Sequence, residues 1–195
     1  MGSGARRMYG KNMKVQTTGI EGLLVVELDI HRDGRGFFVE RFNAKQFAEH
    51  GLPTAFLQDN HSRSSPKVLR GLHMQYDPPM GKLVGVLHGC IYDVAVDVRP
   101  NSKTFGKYFG LELSGDNGKL LWIPAGFAHG FCVVGDESAD VFYKVDALYN
   151  APGEIGIRWD DTEIGIKWPV ENPLVSERDK KLPSFASYKE NPPQW

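Results

Sequence analysis

Arg70-Gly71-Leu72-His73-Met74-Gln75, followed by Lys82 and Gly89, and a second stretch from Gly118 to Pro124-Ala125-Gly126-Phe127-Ala128-His129, decide how this chain is read. Each sets a histidine into an apolar run punctuated by glycine or proline. Outward from them the pattern repeats: 22 Gly and 12 Pro break the chain into short segments rich in Val, Ile, Leu, Phe and Tyr. Such spacing predicts an all-β fold, an antiparallel sandwich or barrel. Strands are expected over 23–30, 36–42, 83–87, 91–99, 108–113, 120–123, 130–134 and 141–145. In the fourth of these, Tyr92, Val94, Val96 and Val98 alternate with Ile91, Asp93, Ala95 and Asp97, so one face is apolar and the other mixed. A polar interior is what a ligand-holding barrel needs. One helix is expected over 43–50, capped by Asn43 and ended by Gly51-Leu52-Pro53. Near the C-terminus, Ser176-Glu177-Arg178-Asp179 reads as a capped turn or short helix before a proline-rich tail.

A chain of 195 residues fits one well-filled domain, expected over 13–195, with residues 1–12 read as a tag or loose tail. Formal net charge is −1, which offers no field for a nucleic-acid polymer or a membrane surface, so any anion recognition must be local. No G-x4-G-K-[ST] phosphate loop is present, and no apolar run reaches the roughly 18 residues of a membrane helix. Cys90 and Cys132 both sit in apolar strand-like runs, which reads as buried free thiols and a cytoplasmic location.

The two opening stretches resemble the signature segments of a cupin, a jelly-roll β-barrel, here with one or two short helices. In metal-binding cupins the segments read G-x5-H-x-H-x3-4-E-x6-G and G-x5-P-x-G-x2-H-x3-N. His73 and His129 match two of the four ligand positions, whereas Gln75 stands for the second histidine and Lys82 takes roughly the glutamate's place. A protonated ammonium has no lone pair and repels a divalent cation, so the pocket is expected to hold no metal and to carry its own positive charge.

The chain also resembles the dTDP-4-dehydrorhamnose 3,5-epimerases from about Val15 to Pro183. The matching pieces include Asp33-Gly34-Arg35-Gly36-Phe37-Phe38-Val39-Glu40, Gln58-Asp59-Asn60-His61-Ser62, Val68-Leu69-Arg70-Gly71-Leu72-His73, Asp93-Val94-Ala95-Val96-Asp97, Tyr143-Lys144 and Ser176-Glu177-Arg178-Asp179. The resemblance implies a cofactor-independent isomerase acting on a dTDP-linked 4-keto-6-deoxy sugar. Protons at C3 and C5 lie α to the C4 ketone, so inversion needs a base on one face, an acid on the other and a partner for the enolate oxygen. It implies His73 as base, Asp179 as the carboxylate orienting it, Tyr143 as acid and Lys82 at the C4 oxygen. For the rest of the substrate it implies Arg35 and Arg70 toward the diphosphate, Gln58, Asn60, Glu40 and Glu154 as polar contacts, and Phe37 or another nearby aromatic stacking on the base. A homodimer is implied as well, the hairpin around Arg35 reaching into the partner's site.

Each residue also has a plainer reading. Taken alone, His73 is a core histidine between Leu72 and Met74, Asp179 a helix cap, Tyr143 a packing residue and Asp33-Gly34-Arg35-Gly36 a hairpin turn. His129 is either a substrate hydrogen-bonder or a turn-stabilising residue, and Tyr149 a rival acid or a wall for the sugar. The pattern leaves open whether Arg178 or Lys180 meets the diphosphate, and whether one or both carbons are inverted. A metal-dependent cupin and a non-catalytic sugar-binding barrel are the readings from other classes.

Overall fold

Two facing antiparallel sheets make up the core of the computed structural model, which describes residues 13–193. The tail expected over 1–12 lies outside the described residues. One sheet runs β1 (Lys14–Thr17), β2 (Leu24–Glu27), β10 (Lys119–Ile123), β7 (Lys82–His88), β12 (Ala139–Val145) and β5 (Gln58–Ser64). The other runs β13 (Glu154–Gly156), β6 (Val68–Gln75), β11 (Phe127–Val133), β8 (Cys90–Asp97) and β9 (Tyr108–Ser114), with β14 (Leu174–Val175) parallel to β6. A separate hairpin joins β3 (Ile30–Asp33) to β4 (Gly36–Val39), and the helices are α1 (Ala44–Glu49) and α2 (Phe185–Glu190). This is the expected all-β jelly-roll barrel with two short helices.

Alternation along the strands sorts side chains between the barrel interior and two outer layers. Val25, Val84, Val86, Ile91, Ala95, Leu113, Leu121, Phe131 and Val141 pack together between the sheets. Outside the first sheet, Phe47 of α1 joins Val26, Leu83, Leu120 and Trp122. Asn43 caps that helix by accepting from the Lys45 and Gln46 N–H groups, as expected. Outside the second sheet, Val94, Val96 and Val98 are covered by Ile157, Ile164, Phe185 and Tyr188. Both faces of β8 are therefore buried, and its mixed face, bearing Asp93 and Asp97, looks into the barrel.

The C-terminal stretch positions part of the site. β14 pairs with Val68 and Leu69 at the edge of β6, a 3-10 turn follows at Asp179–Lys181, and α2 anchors the end through Tyr188, whose hydroxyl donates to the Val98 carbonyl at 2.7 Å. The tail expected to be merely proline-rich thus contains a docked helix. Several strands escaped the pattern, β5, β6 and β1 among them. β5 reads Gln-Asp-Asn-His-Ser-Arg-Ser, with no apolar alternation, because one side faces the cavity and the other holds surface ion pairs: Asp59 with Lys144 and Arg63 with Asp140. β6 carries the deciding histidine, and β1 closes the first sheet at its outer edge. The expected strand over 23–30 stops at Glu27, and the chain resumes as β3 at Ile30.

Gly71 lies where β6 and β11 crowd most. Its φ is +115°, and a Cβ there would lie 2.6 Å from the Gly130 Cα and 2.7 Å from the His129 carbonyl oxygen. Neither backbone atom can swing away. Gly71→Ala should therefore cost about 3 kcal/mol, conformational strain and overpacking together, measured as a lowered urea midpoint with unchanged slope.

Candidate active site

A cavity of about 720 Å³ opens between the sheets at one end of the barrel. β6 supplies its floor through an irregularity. Opposite β11, His73 faces His129 and Arg70 faces Phe131, so three steps on β6 match two on β11. That extra residue turns Arg70 and His73, three apart, to the same side. Both line the cavity, together with Gln75.

His73 Nε2 lies 2.7 Å from Asp179 Oδ1. The carboxylate is buried, and its other oxygen accepts the Gly71 N–H at 3.1 Å. Burial alone would raise the Asp179 pKa, but the hydrogen bond and charge of His73, the Gly71 N–H and Ser176 outweigh it and hold it below the usual carboxylate value. An ionised partner makes Nε2 the donor, so the neutral imidazole keeps its lone pair on Nδ1. The two side chains, 106 positions apart in sequence, are brought together by the β6–β14 pairing.

Beside this pair lies a second. His129 Nε2 is 2.8 Å from Asp93 Oδ1, and both residues are buried. Asp93 Oδ2 has no hydrogen-bond partner among the described residues. The alternation of β8 had put Asp93 on the mixed face, but nothing in the sequence tied it to His129; the register of β11 against β8 does that.

From the opposite sheet, Lys82 on β7 and Tyr143 on β12 reach the same cavity. Lys82 Nζ donates to the His73 carbonyl at 3.2 Å. Burial pushes its pKa down to about 8, with the Glu154 and Asp93 carboxylates resisting the fall. The Tyr143 phenol is raised above its ordinary value, first by burial and then by the Glu154 charge, with Arg70 opposing. It therefore stays protonated through neutral pH. At the mouth, the Tyr149 hydroxyl donates to Glu154 Oε2 at 3.1 Å, and Arg178 forms an ion pair with the same carboxylate. Arg70 Nε donates to Ser64 Oγ at 3.0 Å, and Gln58 Nε2 to Asn60 Oδ1 at 2.9 Å. Among the described residues, no group of three His, Cys, Asp or Glu side chains is placed to hold a metal ion.

The family model described as dTDP-4-dehydrorhamnose 3,5-epimerase matches residues 17–187. The chain belongs to this epimerase family. A curated dTDP-4-dehydrorhamnose 3,5-epimerase from Shigella flexneri is 51% identical over 169 residues, covering 86% of this chain and 93% of that protein. The crystal structure of the enzyme so named from Elizabethkingia anophelis is 41% identical, with a TM-score of 0.85 over 91% of this chain and 98% of that one. A dTDP-6-deoxy-D-glucose-3,5-epimerase from Legionella pneumophila, solved in complex with dTDP-4-keto-L-rhamnose, is 43% identical with a TM-score of 0.85, covering 89% and 93%.

Of the residues that the epimerase resemblance singled out, ten converge on the cavity: His73, Asp179, Tyr143, Lys82, His129, Arg70, Gln58, Asn60, Tyr149 and Glu154. Arg35, Phe37 and Glu40 do not line it within their own chain. Arg35 is paired with Asp33 at 2.8 Å on the β3–β4 hairpin, Phe37 is exposed beneath the Arg32 guanidinium, and Glu40 Oε1 accepts from Asn43 and Gln46. Arg178, left open by the sequence, borders the cavity; Lys180 points elsewhere, to Glu177 at 2.7 Å.

Proposed function

We propose that this protein inverts C3 and C5 of a dTDP-linked 4-keto-6-deoxyhexose without a cofactor, through successive enolates. One observation carries the reading: an imidazole oriented by a buried carboxylate, and a protonated phenol, enter one cavity from opposite sheets. His73 takes the proton from carbon, and Asp179 holds the imidazolium that results. Electron density moves onto the C4 oxygen, where the Lys82 ammonium receives it. Tyr143 then gives its proton to the other face of the same carbon, and exchange with water resets both groups. The sequence repeats at the second carbon. Arg70 and Arg178 supply positive charge for the diphosphate, and Gln58 and Asn60 supply neutral hydrogen bonds.

The reading extends to one domain over 13–195 working as a homodimer in the cytoplasm. The hairpin supports the dimer: Arg35 and Phe37, on the separate two-stranded hairpin, and Glu40 just after it lie off their own cavity and would complete the partner's. Mixing His73→Ala with Arg35→Ala protomers tests this, because hybrids then contain one intact site and should regain activity that neither parent shows; no recovery after exchange would count against it. The free thiols of Cys90 and Cys132 fit a reducing compartment.

Turnover in deuterium oxide, followed by proton NMR, tests the reaction itself: label should enter both C3 and C5, and label at neither carbon rejects it. Loss of the Lys82 proton removes the charge facing the enolate, so kcat/KM should fall as pH rises through about 8. Lys82→Arg, which keeps its charge, should lack that alkaline limb whatever its absolute rate.

A further inference from the structure

Gln75 stands two residues from His73 and is almost completely buried, yet none of the steps above uses it. Its amide is saturated with backbone partners from two other segments. Nε2 donates to the Pro78 carbonyl at 2.9 Å and to the Leu148 carbonyl at 3.1 Å, while Oε1 accepts the Asn150 N–H at 2.8 Å. Tyr149 lies between those last two residues, and its own N–H donates to Gln58 Oε1 at 3.1 Å. The backbone on either side of Tyr149 is therefore tied to the cavity floor by one side chain, and Tyr149 itself by another. Downstream, the same segment enters β13, where Glu154 lies opposite Gln75 in register. Tyr149 remains 54% exposed at the mouth, so packing does little to fix it.

We propose that Gln75 is a positioning residue: its amide fixes the Leu148–Asn150 segment so that Tyr149 and Glu154 present a preformed wall to the bound sugar nucleotide. Only a primary amide brings two donors and an acceptor on a side chain of this length. Histidine or glutamate cannot offer that set, and an apolar residue would leave three part-buried backbone groups, the Pro78 and Leu148 carbonyls and the Asn150 N–H, to find new partners. Gln75 thus governs binding and leaves the proton transfers to His73 and Tyr143. The inference rests on the sugar-nucleotide reading of the cavity.

Full-length Gln75→Met and Gln75→Glu decide it. For Gln75→Met, KM for dTDP-4-keto-6-deoxyglucose should rise about tenfold, as should Kd for thymidine diphosphate, with kcat within about threefold of the parent. Amide exchange at Tyr149 and Asn150 should accelerate while the strands stay protected. Gln75→Glu keeps the side-chain length and, when protonated, regains one donor, so its KM should move back toward the parent value as pH falls. In a Tyr149→Ala background, Gln75→Met should add much less to KM than it does alone, since the aromatic part of the wall is already gone. An unchanged KM, a kcat loss without a KM rise, or fully multiplicative effects with Tyr149→Ala would each overturn the proposal. Should Gln75→Met not fold, the pH response of Gln75→Glu carries the decision, a flat KM overturning it. If the unaltered protein does not bind thymidine diphosphate at all, the sugar-nucleotide reading fails first, a result separable from equal binding by parent and variants.

Discussion

His73→Ala is expected to slow proton exchange at both ring carbons by about 10²- to 10⁴-fold, the range associated with removing a positioned general base. The affinity for thymidine diphosphate should stay within about threefold, because the proposed mechanism assigns the imidazole to the reacting carbon and the structure pairs it with Asp179. Asp179→Asn should cost nearly as much. An amide in that place can donate to Nε2, which would force the opposite tautomer and move the lone pair off Nδ1. The buried Asp179 also accepts from Gly71 N–H, so the asparagine variant will lose some stability; the kinetic loss should be much larger than the fraction unfolded can explain. Single-turnover rates beside a thermal melt separate the two. A His73→Ala protein exchanging both protons at the parent rate would remove the base from its assigned place.

Lys82→Met is expected to lower kcat by about 10²- to 10³-fold, or about 3 to 4 kcal/mol, with a smaller change in KM. The charge on the C4 oxygen exists chiefly in the enolate-like transition state, so most of the loss belongs in kcat. Methionine matches the stem and leaves the packing near Val145, its neighbour in register, largely undisturbed. Because the ammonium also donates to the His73 carbonyl, a modest further effect through β6 is expected. Comparable loss in KM with kcat preserved would recast Lys82 as a simple substrate-binding cation.

Strand β8 shows why much of the barrel is legible in the sequence. Its two alternating sets announce a strand with one apolar and one mixed face, and the mixed face is the one that enters the barrel. β5 shows the opposite. Its side chains satisfy a ligand cavity on one face and ion pairs on the other, so no hydrophobic period survives for a pattern to detect. The same division holds in the site. His73, Lys82 and His129 stand in signature segments, and Asp179 and Tyr143 in shorter pieces of the family resemblance. The Asp93 contact with His129 depends on the register between β8 and β11, and the clamp made by Gln75 depends on a loop 73 residues away. Long-range pairings of this kind have no local signature. Arg35, Phe37 and Glu40 are the reverse case, clear in the resemblance and yet remote from the cavity of their own chain.

The opposed placement of His73 and Tyr143 is the claim on which the chemistry turns, and Tyr143→Phe in deuterium oxide tests it most directly. With the base intact and the acid removed, His73 should still open the C–H bond and return deuterium to the face it left. Proton NMR should then show label accumulating in recovered, uninverted substrate, while inverted product falls by at least about a hundredfold. Inversion at the parent rate, or loss of exchange as complete as in His73→Ala, would contradict the account.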